Sequence, residues 1–244
     1  MGRLIGGLLD NESPFGRIML KCFLIIGANI LFIVTSIPVI TIYPGLIALY
    51  SVMLRHLHSG NVTNPWKAFI QGFKENFRQG MISSLAFLAL GAFLLADIRI
   101  CEQAGGALSI LRYVLIAMLL LLVILAVYLA PVMASFSDTL PNLLRNALFF
   151  ASRRPLKIIP ALLLYAVPAA LTILDERMRP LYGFLWVTCM AGLIVMMESE
   201  LLIRDIEQYL PDHSAEETTD AGQKNIPKAR SQRELLKEMK KLDQ

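Results

Sequence analysis

Catalysis and metal binding need titratable side chains that converge, and this chain has few that could. There are three histidines, His56, His58 and His213. His56 and His58 are two residues apart, so on a helix their rings point about 200° apart and make a poor metal pair. They read as solvated residues at an interface. The three cysteines, Cys22, Cys101 and Cys189, form no CxxC pair, which suggests neither a disulfide framework nor a zinc site. The P-loop, nucleophile-elbow and HExxH patterns do not occur. The expectation is a protein that is not an enzyme, with no catalytic residue, cofactor or metal to assign. No basic stripe with interleaved stacking aromatics suggests nucleic acid.

The carboxylates argue in the same direction. An ion-coupled transporter places a carboxylate deep in a span. Asp97, Asp138, Asp175 and Glu198 all read as lying near span ends, with Asp138 suited to capping a helix. The span middles hold only Asn29, Ser83, Ser84, Tyr128, Tyr165 and Thr188. Asn29 and the serines suit bonds to a neighbouring helix or to backbone. An autonomous pump is disfavoured, and a passive or accessory role is not.

Composition explains why so little chemistry is available. Of the 244 residues, 56% are hydrophobic and 17% charged, against roughly 25% charged in an ordinary soluble domain. The apolar residues fall in blocks close to the ~20 needed to cross a bilayer. These blocks run from Cys22 to Ile37, Met81 to Ala96, Tyr113 to Ala130 (ending at Pro131), Leu156 to Leu174, and Leu181 to Leu202. Asp10 and Glu12 break the first fifteen residues, so the first block reads as an uncleaved anchor. Leu4, Ile5, Leu8 and Leu9 could form a small interfacial helix before it.

One further apolar stretch, Ser36 to Leu54, is broken by Pro38, Pro44 and Gly45. Thr41 can cap a helix from Ile42 to His58 with Pro44 in its first turn. That helix would be about 25 Å long at about 1.5 Å per residue, slightly short of a bilayer core. The stretch therefore predicts a hairpin, with Pro38, Thr41, Pro44 and Gly45 as the helix break. The fold class expected is an all-α, polytopic helical membrane bundle of five full spans plus one short Pro/Gly-broken return helix, six crossings being preferred.

Two half-polar segments stand between the spans. After Asn64-Pro65, Trp66, Phe69, Ile70, Phe73 and Phe77 recur at helical spacing, with Lys67, Lys74, Glu75 and Arg78 opposite. This predicts an amphipathic surface helix. A second runs from Phe136 to Lys157, with Arg145, Arg153, Arg154 and Lys157. Residues 1–205 form the transmembrane domain, and 206–244 a polar tail, partly disordered, with a short basic helix near Leu235 to Leu242.

The placement of charge orients the bundle. If Ile42 to His58 crosses, the N-terminus, both half-polar segments and the tail share one side. Arg99, Arg112, Arg177 and Arg179 are left on the other. The positive-inside rule then predicts cytoplasmic N- and C-termini in a bacterial plasma membrane.

Several motifs resemble those of the YesL-like membrane proteins of Gram-positive bacteria. They are Ser36-Ile37-Pro38-Val39-Ile40-Thr41, Ala48-Leu49-Tyr50, and Phe69, Phe73, Lys74, Asn76, Phe77 and Gln79. Tyr128-Leu129-Ala130-Pro131 and Asn146-Ala147-Leu148 to Pro155 are similar to that family's second motif. Tyr43-Pro44 departs from it, since the family more often has small residues there. The resemblance covers roughly residues 15 to 205. It implies a setting in carbohydrate uptake of the ATP-binding-cassette (ABC) type and supplies no catalytic residue. The expected role is an accessory protein beside an ABC permease or its ATPase, touching its partner through Trp66, Phe69, Phe73, Lys74, Asn76, Phe77, Arg78, Arg153 and Arg154. The alternative is a stand-alone small-solute transporter or channel.

Overall fold

The computed structural model describes residues 14–59, 64–104, 108–153 and 155–207. The expected N-terminal interfacial helix, Arg154 and the tail from residue 208 onward lie outside them. The described residues form eight α-helices. These are α1 (Pro14–Thr35), α2 (Ile42–Ser59), α3 (Pro65–Ala104), α4 (Leu108–Ser135), α5 (Leu140–Arg153), α6 (Pro155–Leu174), α7 (Arg179–Leu185) and α8 (Ala191–Glu207). A 3-10 turn, Val39–Thr41, precedes α2, and a π turn, Trp186–Met190, joins α7 to α8.

Six of these helical segments are long and apolar enough to cross a membrane, and the chain is a multi-pass helical membrane protein in a lipid bilayer. Val39–His58 is one of the six. It is the span most enclosed by protein, 61% of it buried against 28% or less of every other span. α2 is the axis of the bundle. Ile47, Ala48, Leu49, Tyr50 and Val52 are fully buried. Lipid is as apolar as leucine, so such packing stabilises through close van der Waals fit, which small residues permit. A Cβ on Gly72 of α3 would come 2.8 Å from the Ser51 side chain, and one on Gly80 would meet Pro44 and Ile47 at 3.1 Å. Tyr43 fixes the far end of α2, donating to Ala126 O (2.9 Å) and meeting Phe87 edge-on.

The hairpin turn forms where the prolines predict it, and Pro44 sits in the first turn of α2. Thr41 acts differently from expectation. It lies in the 3-10 turn, and its hydroxyl donates to Thr35 O (2.5 Å) and Pro38 O (2.6 Å). It ties off the end of α1 instead of capping α2.

Two boundaries also differ from the sequence reading. The Trp66–Phe77 segment is not a separate surface helix but the first part of α3, a single helix of 40 residues. No proline interrupts it, and Gly80 is held within it by contact with α2. At its start Asn64 Oδ1 accepts from Trp66 N (3.1 Å) and Lys67 N (3.2 Å), with Pro65 at the first position. α4 likewise continues past Pro131 to Ser135. Val132 and Met133 are buried there. Enclosure by neighbouring protein makes one proline tolerable in a membrane helix.

Candidate functional site

Glu198 is the residue whose burial sequence reasoning missed. It lies near the end of the last span, Arg179–Ile203, as the apolar run suggests, yet it is fully buried. Its side chain turns inward toward tyrosines from the middles of two other spans. Tyr50 Oη, halfway along α2, donates to Glu198 Oε2. Tyr165 Oη, halfway along α6, lies 2.7 Å from Tyr50 Oη. Glu198 Oε1 is buried and, among the described residues, has no hydrogen-bond partner. The cluster joins α2, α6 and α8.

The signal for this site was present in the sequence. Ala191, Ile194, Val195, Glu198 and Leu202 recur at helical spacing and are all buried, whereas Glu200 is exposed on the far face. A carboxylate in phase with the core stripe differs from one at a helix end.

Asn29 forms a second polar joint, as expected for a polar residue in a span. Its Nδ2 donates to Trp186 O (3.0 Å) and Val187 O (2.8 Å), and its Oδ1 accepts from Gly192 N (2.9 Å). These groups belong to the π turn and its exit, where widened hydrogen bonding leaves backbone groups in need of partners. Gly192 allows the approach, since a Cβ there would meet Ile25 O at 2.8 Å. Trp186 Nε1 donates to Thr172 Oγ1 and ties the turn to α6.

At one end of the bundle the polar ends of the helices meet. Lys21 of α1 pairs with Glu200 of α8, and Arg55 of α2 with Glu75 of α3. Gln79 donates to Asp138 O, and Lys157 of α6 to Leu201 O of α8. Asp138 stands beside the start of α5, accepting from Thr139 N and Asn142 Nδ2. Gln79, in the first part of α3, thus reaches the lead-in to α5.

Of the residues expected at a partner surface, Trp66, Lys74, Phe77 and Arg78 are exposed on α3, and Arg153 is exposed on α5. The Arg153 guanidinium lies over the Phe149 ring. Phe69 points into the core, Phe73 is half-buried against it, and Asn76 bonds back to Gly72 O. At the opposite end, Arg112 pairs with Glu102, and Arg179 with Glu176. His56 is half-buried, His58 exposed, and the three cysteines are unpaired thiols.

Residues 25–98, from α1 through most of α3, match the family described as "Protein of unknown function, DUF624". Over 127 residues the chain is 29% identical to "Uncharacterized protein YesL" of Bacillus subtilis (strain 168), covering 52% of this chain and 59% of that relative. No solved structure matches.

Proposed function

We propose that this chain is a YesL-like membrane protein, a reading that these two matches support, and that it is a non-catalytic accessory subunit of a carbohydrate ABC-type uptake system. Its basic end faces the cytoplasm of a bacterial cell and carries both termini. The partner is a permease or its ATPase. One observation carries the reading: the half-polar first part of α3 is joined to the lead-in to the short helix α5, Gln79 donating to Asp138 O. There they offer Trp66, Lys74, Phe77, Arg78 and Arg153 outward. Exposed aromatics beside arginine are the composition of binding surfaces. The carbohydrate setting rests on the family resemblance alone.

Purification of the native protein in mild detergent tests this, with a permease or ATPase subunit expected in the same fraction. Reversing two charges (Lys74→Glu with Arg78→Glu) is expected to release that partner while membrane insertion stays intact. A protein that runs alone at every detergent concentration contradicts the proposal. The competing reading, a small-solute transporter or channel, draws on the polar cluster around Glu198. Solute flux in liposomes containing this chain alone would favour it.

A further inference from the structure

We propose that Glu198, with Tyr50 and Tyr165, forms an intramembrane site that reversibly binds one monovalent cation, either a proton or an alkali ion such as sodium. Tyr50 has a single O–H, which it donates to Glu198 Oε2. Tyr165 Oη lies 2.7 Å from the Tyr50 oxygen and also faces Glu198. Even with both hydroxyls turned to it, the carboxylate receives at most two hydrogen bonds where it can accept about four. Oε1 is left buried with no partner among the described residues.

Charge makes the same point. Among the described residues no lysine, arginine or histidine pairs with Glu198. The titratable groups facing it are Tyr50 and Tyr43 from α2 and Tyr165 from α6. A bare carboxylate enclosed in a membrane bundle is costly, and such residues mark ion or proton sites. A cation at Oε1 supplies both the missing positive charge and the missing contact.

Glutamate is also more than a simple tie between helices would need. A glutamine would accept the same bond from Tyr50 without introducing a charge. α6, which carries Tyr165 over the site, is the least enclosed span, with only 6% of it buried. Tyr165 is bracketed by Pro160 and Pro168, each of which removes a helical hydrogen bond from α6. This inference is independent of the proposed transport partner.

The test uses the full chain, purified in detergent, with Glu198→Gln as the comparison. Equilibrium binding of radiolabelled sodium is measured alongside infrared difference spectra through a pH titration. Sodium binding that is lost in Glu198→Gln identifies an alkali-ion site. A protonated-carboxyl band that comes and goes with pH, and is missing from Glu198→Gln, identifies a proton site. A wild-type chain that binds no sodium and shows no such titrating band overturns the proposal. If Glu198→Gln does not purify as a monodisperse species, Tyr165→Phe gives the deciding measurement. Sodium affinity or the band's titration shifts if Glu198 is the site, and neither moves if it is not.

Discussion

Asn29 shows what a single polar side chain does inside this bundle. Its amide makes three hydrogen bonds to the backbone around the π turn. Interhelical bonds in membranes average about 0.6 kcal/mol each, so Asn29→Ala is expected to cost about 2 kcal/mol in a reversible unfolding titration. An unchanged midpoint would mean that water or lipid replaces the amide. That a polar residue at position 29 bonds to a neighbour was legible in the sequence, because an amide in an apolar run has few other options. Its partners were not legible, since the π turn has no residue signature in Trp186 to Met190. Glu198 was legible only through phase: it shares a stripe with Ala191, Val195 and Leu202. Distance along the run gave its place near the span end but not its burial, which depends on the faces that α2 and α6 turn toward it.

At the scale of elements, the closest crossing is that of α2 and α3. Gly72 and Gly91 are both helical glycines of α3, yet they should respond oppositely to alanine. A Cβ at 72 falls 2.8 Å from Ser51, and one at 91 meets nothing within 4 Å. Gly72→Ala is expected to destabilise by about 1–3 kcal/mol through overpacking. Gly91→Ala is expected to be neutral or stabilising by up to about 1 kcal/mol through lost chain entropy. Thermal unfolding of the two variants side by side checks the contrast, and equal shifts would refute it. The helical period of Trp66, Phe69, Phe73 and Phe77 was readable from sequence. Its continuation into the next span was not, because hydropathy changes at Met81 while the backbone does not. The broken stretch from Ser36 to Leu54 was recognised as a hairpin from its prolines. Its central position was hidden, because enclosure by four neighbours is not a property of the stretch itself.

For the whole molecule, the two ends differ in charge, and that asymmetry should be measurable as topology. A cysteine at Thr41, with Cys101 first removed, is expected to react with an impermeant thiol reagent added outside intact cells. Reaction only after the cytoplasmic side is opened would invert the proposed orientation. The six membrane-length helices follow from apolar run length. That the two half-polar segments share a side is expected from alternation: each span reverses direction, so every second connection lands on the same side.

α3 carries a mechanical consequence. At about 1.5 Å per residue it is about 60 Å long, roughly twice the thickness of a bilayer core. It lies against α2 around Gly72 and Gly80, and beyond them Tyr43 meets Phe87 and both Leu94 and Cys101 are buried. The helix is thus a mast stayed along its length by its neighbours. A mast that long outreaches the apolar layer, so part of it must stand in headgroups or water.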